Sequence, residues 1–130
     1  MLTKYDPERA PDPARWLAED EQQRISIIER YHRRQRIEIE RPTAHALFHL
    51  IVENQVALGD ELPVAEAVQR LMGEGLSRHE AIHAVGAVMA AFMNDTLRDN
   101  EEFDREGYNR EVRALTKDRW YAEYGPDAEA

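Results

Sequence analysis

Two segments, 44–58 and 81–93, are apolar almost all the way round, and they constrain the chain more than any other feature. Neither leaves a broad polar stripe for water, so each belongs in the middle of a fold with other elements covering it. The covering segments carry helical period. Ile25, Ile28 and Tyr31 recur at three-residue steps, with Ile27 alongside. Val64, Val68, Leu71 and Met72 fall on one helical face, and Tyr108, Val112 and Leu115 sit at i, i+4 and i+7.

The stops and starts agree with this period. Asp12-Pro13 reads as a helix start, and Asp20 as the cap of a second helix running to about Gln35. Pro42 opens a third helix, which continues to Leu58 and stops at Gly59, a residue suited to the left-handed position past a helix end. Pro63 opens the next, over 63–74. Ser77-Arg78-His79-Glu80 is a capping box ahead of a helix to about Leu97, and a last helix is expected from about Glu101 to Tyr121. Ile37-Glu38-Ile39-Glu40 alternates like a strand without a partner run and reads as an extended link. The expectation is all-α: a single compact bundle of about five to six helices over residues 1–130. Its loops are short, with an extended N-terminal arm over 1–12 and a frayed acidic tail over 125–130.

Composition narrows the chemistry. A chain of 130 residues can build a core without staples, and this one has no cysteine. Disulfides, thiolate metal sites, iron–sulfur clusters and cysteine catalysis are excluded. Seventeen Lys and Arg against 26 Asp and Glu leave a net charge of −9, which argues against nucleic acid or an anionic membrane as partner. The start, Met1 to Asp6, has no apolar stretch of signal-peptide type, and the longest apolar run, Ala84 to Met93, is too short for a bilayer. The expected location is the cytoplasm.

The five histidines carry the functional signal. His45 and His49 are i, i+4 on one central helix, and His79 and His83 are i, i+4 on the other. That spacing puts both imidazoles of a pair on one face, about 5–6 Å apart, ready to present two nitrogens to one metal. Glu53 continues the first stripe at i+8. His32 follows Glu29 by three residues, the Glu-x-x-His spacing that carboxylate-bridged di-metal bundles use. With short loops and antiparallel neighbours, all five histidines fall at one end of the bundle. The candidate ligands are therefore His45, His49, His79 and His83, then Glu53, His32 and Glu29, with His32 expected to matter only if a second metal is present. Glu53 doubles as a candidate general base or bridging ligand. The helix N-termini near both pairs oppose a cation but keep imidazoles neutral.

Other patterns weigh less. His79-Glu80-Ala81-Ile82-His83 matches the His-Glu-x-x-His helix of zinc peptidases, but Glu80 already serves as the third residue of the capping box. Arg30, Arg33, Arg34 and Arg36 complement the dipole at a helix C-terminus, with an anion contact as the alternative. Trp120, Tyr121 and Tyr124 are expected to pack on the bundle rather than form a partner surface.

The segment Pro42-x2-His45-x3-His49-x5-Gln55-Val56-Ala57, followed by His79-x3-His83-Ala84, resembles a family of small bacterial proteins classed as a domain of unknown function. The resemblance covers about residues 40–95. It singles out His45, His49, Gln55, His79 and His83 and implies no activity. His49-x3-Glu53 with His79-x3-His83 is also similar to the two middle helices of hemerythrin-like di-iron proteins. That similarity stops there, since the last helix has no histidine.

The expectation is a divalent transition-metal-binding bundle. Imidazoles favour zinc, with iron, nickel or copper next, over magnesium or calcium. The alternative is a non-catalytic interaction module, dimeric or otherwise oligomeric, whose histidines form a buried polar network.

Overall fold

A computed structural model of the chain describes residues 1–36 and 41–125. The extended link expected at Ile37–Glu40 and the tail past Gly125 lie outside the described residues. Seven helices form, with no strand among the described residues: α1 Pro13–Ala18, α2 Glu21–Arg34, α3 Pro42–Ala57, α4 Val64–Gly73, α5 Arg78–Asp99, α6 Arg105–Ala114 and α7 Lys117–Arg119. The last continues into a π turn, Trp120–Tyr124.

The caps act where the sequence places them. The Asp12 carboxylate accepts from Arg15 N, and that of Asp20 accepts from Gln23 N. Ser77 and Glu80 form both halves of the capping box at the start of α5. Gly59, just past α3, has φ +64°, the left-handed conformation that costs glycine nothing.

The helix α3 stands between two apolar clusters. Ala46 and Leu50 face Tyr5, Trp16, Ile27 and Ile28 of the arm, α1 and α2. On its other side Val52 joins a larger cluster that includes Leu71 of α4, Ile82 and Val85 of α5, Tyr108 of α6 and Trp120. As expected, α3 and α5 are central; the arm packs on the body, with Tyr5 only 2% exposed. The histidines lie in the seam between the two clusters, where α2, α3 and α5 meet.

Two local expectations are corrected. The segment from Glu101 to Tyr121 is not one helix. Asp104 caps α6 by accepting from Gly107 N, Leu115 turns extended at ψ 131°, and the Thr116 hydroxyl caps a new turn by accepting from Arg119 N. A side-chain oxygen that satisfies free N–H groups lets the chain restart there. Met72 is not on the buried face of α4, which consists of Val64, Ala67, Val68 and Leu71 at i, i+3, i+4 and i+7.

This assignment predicts a sharp contrast between neighbours. Leu71→Ala should lower unfolding free energy in urea by about 2–5 kcal/mol, the cost of a cavity in a closed core. Met72→Ala should change it by about 0.5 kcal/mol or less.

Candidate metal centre

Each histidine reaches the seam from a helix with a defined start, a side-chain cap in α2 and α5 and a proline in α3. Asp20 starts α2, which carries His32 in its last turn; Pro42 starts α3, with His45 and His49 in its first turns. The Ser77 capping box sets α5, so that His79 and His83 enter from the opposite wall. All five rings converge. His32 Nε2 lies 3.1 Å from His45 Nε2, and His49 Nε2 lies 3.1 Å from His83 Nε2. The rings of His79 and His83 are 4.4 Å apart, and those of His45 and His49 are 4.7 Å apart.

The arrangement contains two overlapping three-nitrogen sets, His32–His49–His79 and His45–His49–His83, each with its ligand atoms within 4.8 Å of one another. His49 belongs to both. Nitrogens on a tetrahedral zinc at about 2.0–2.1 Å stand roughly 3.4 Å apart, so the closest pairs here are near coordination spacing. His79 Nε2 is buried and has no hydrogen-bond partner among the described residues. A buried polar atom without a partner is costly unless something else fills that role.

Hydrogen bonds on the far side of two rings decide which nitrogen is bare. His32 Nδ1 is 2.8 Å from the Ile28 carbonyl, which can only accept, so Nδ1 carries the hydrogen and Nε2 faces inward as a lone pair. His49 Nδ1 is 3.1 Å from the Tyr5 hydroxyl, which itself donates to Glu53 Oε2 at 2.6 Å. Partners of this kind typically orient metal-ligating histidines.

The carboxylates stand apart from the imidazoles. Glu53 is 1% exposed, and Arg78 holds both its oxygens, Nη1 on Oε2 and Nη2 on Oε1, each at 2.8 Å. With Tyr5 on Oε2 as well, it stands behind His49 and belongs to neither nitrogen set. Glu29 is half-buried and also outside both sets. His32 is part of the common cluster, as expected from the placement of all five histidines at one end of the bundle, and belongs to one of the two nitrogen sets.

Sequence reasoning missed Arg78 and Tyr5. A glutamate on a helix that is apolar all round needs a cation, and Arg78 stands beside His79, so the ion pair had a signal. Tyr5 had none, because its place depends on how the arm folds back. Gln55, part of the resemblance, accepts from Tyr108 at 2.6 Å, away from the imidazole contacts.

Electrostatics favour the neutral form of His32, His49, His79 and His83. Burial, then the neighbouring His79, pushes His83 down to about 3. Burial and the surrounding imidazoles hold His49 well below the usual histidine range, and burial lowers His32 and His79. Burial and the Glu53 carboxylate raise Tyr5 well above the usual phenol range. A neutral imidazole is the form that ligates metal.

No protein-family model, curated protein or solved structure matches the chain. Among the described residues no helix is long and apolar enough to cross a membrane.

Two outcomes follow. In the unfolded chain these histidines protonate near pH 6.5, whereas in the fold they stay neutral to lower pH. The stability present above pH 6.5 is therefore lost as pH falls towards the folded values. Each histidine that stays neutral costs about 1.4 kcal/mol per pH unit, so the melting temperature of metal-free protein should drop steadily from pH 7 to pH 5. A flat profile would contradict a closed neutral cluster. Glu80, exposed and 2.8 Å from Ser77 N, caps the helix rather than activating water. Glu80→Gln should cost at most about 1 kcal/mol and leave metal content unchanged. Loss of a hydrolytic activity with metal retained would restore the peptidase reading.

Proposed function

We propose that this protein binds one divalent transition-metal ion in an all-imidazole centre, with zinc the first candidate and iron or nickel next. The observation that carries the reading is the convergence of five histidines from three helices into two three-nitrogen sets that share His49. Borderline nitrogen donors select these metals over magnesium and calcium. His49 has one inward nitrogen, so the two sets cannot fill independently, which supports one ion rather than a di-metal pair. Three imidazoles leave a fourth position for water or a small anion, and a fourth imidazole would close the site as a structural one. The acidic, cysteine-free composition supports a cytoplasmic protein that does not engage nucleic acid.

The 3.1 Å nitrogen pairs are the specific observation favouring the alternative, a buried polar network without metal. In that state the ring facing the bare His32 Nε2 donates an N–H to it. The two readings separate by measurement. Untagged protein should carry up to one equivalent of metal by elemental analysis. His49→Ala should remove most of it, while single changes at His32, His45, His79 or His83 leave the other set and weaken binding less. Metal that binds only the fold stabilises it by about 2.7 kcal/mol at a hundredfold excess over Kd. A chelator should thus lower the melting temperature at pH 7.5 and do so less at pH 5.5, where protons compete for the nitrogens. Metal-free protein with identical melts at pH 7.5 would leave the polar network as the better account.

A further inference from the structure

The N-terminal arm forms one wall of the cluster, and several bonds hold it there. Arg78 Nη1 donates to the Pro7 carbonyl at 3.0 Å, and His79 N donates to Glu8 Oε1 at 3.2 Å. Further back, Leu2 N donates to Glu19 Oε2 at 2.6 Å, and Gln23 Nε2 to the Leu2 carbonyl at 2.8 Å. Between these anchors Tyr5 turns inward, its ring edge-on to that of His49 at 5.8 Å and its hydroxyl between His49 and Glu53.

A tyrosine hydroxyl has one hydrogen to give. The Glu53 carboxylate, fixed by two bonds from Arg78, is the better acceptor and the shorter contact, 2.6 Å against 3.1 Å to His49, so the hydrogen belongs there. The phenol oxygen is then left to accept, and His49 Nδ1 is the donor in reach. We infer that Tyr5 is a positioning residue that fixes His49 as its Nδ1–H tautomer, so that the nitrogen shared by both three-histidine sets enters the cluster as a lone pair. The consequence for affinity rests on the metal reading; the tautomer does not. Arg78 holds both Glu53 oxygens and shares Oε2 with the phenol, so the carboxylate that takes the Tyr5 hydrogen is fixed in place.

The test uses full-length protein labelled with 15N-histidine. Two-bond proton–nitrogen correlation spectra of the metal-free form read the tautomer, and calorimetric titration with zinc reads affinity. In the wild type His49 should be Nδ1–H, and Tyr5→Phe should remove that preference. Zinc affinity should then fall by about 10–100-fold, the usual effect of losing a partner that orients a metal-ligating histidine. Tyr31→Phe is the control, since the Tyr31 ring lies 5.2 Å from that of His32 and 5.8 Å from that of His79 and serves as a packing neighbour. It should leave the His49 tautomer unchanged. A wild-type Nε2–H tautomer, an unchanged His49 in Tyr5→Phe, or an equal effect from Tyr31→Phe would each overturn the inference, whether or not zinc binds. If the wild type fails to bind zinc while the spectra show the expected tautomer, the metal reading falls and the role of Tyr5 stands.

Discussion

The buried carboxylate of Glu53 ties together three parts of the chain that are remote in sequence. Arg78 at the start of α5 grips both its oxygens, and Tyr5 of the arm donates to one of them. Neither charge reaches solvent, with side-chain exposures of 3% for Arg78 and 0% for Glu53. A buried pair gains little over apolar packing, yet losing one partner costs about 3–5 kcal/mol because the other charge is stranded. The pair therefore specifies an arrangement more than it adds stability. It ties α3 to α5, the helices that carry four of the five imidazoles, and holds the arm over the seam.

Burying those imidazoles is a liability that the fold accepts. His32, His45 and His49 are buried and His79 and His83 half-buried, and at His49 and His83 burial together with ring-to-ring proximity disfavours the protonated form. A core built only for stability would fill this seam with leucine and isoleucine, as the flanking clusters do. Keeping nitrogens there, with the outer nitrogens of His32 and His49 tied to a carbonyl and a phenol, makes sense when the inner lone pairs have a ligand.

Much of this was legible in the sequence for a physical reason. Caps act within three residues of themselves and a proline favours the first helical position, so Asp12, Asp20 and Ser77 as caps and Pro42 as a first residue announced their helices locally. The i, i+4 histidine pairs are likewise local geometry, and two of them on central helices already pointed to one place. What stayed hidden depends on distance. The contacts from Glu53 to Arg78 and Tyr5 span 25 and 48 residues, so its stripe position alone read as a ligand's. The spacing of His32 to Glu29 is local, whereas its neighbour His45 is reached only through the α2–α3 packing. The break at Leu115–Thr116 leaves no local mark, because the apolar period of Tyr108, Val112 and Leu115 runs up to it without interruption.

The most direct test of the central claim is X-ray absorption at the zinc edge on protein loaded with one equivalent of zinc. The account predicts at least three imidazole nitrogens at about 2.0–2.1 Å, with outer-shell scattering characteristic of histidine rings. A shell made mainly of carboxylate or water oxygens would place the ion elsewhere on the acidic surface, and would contradict the histidine seam as its site.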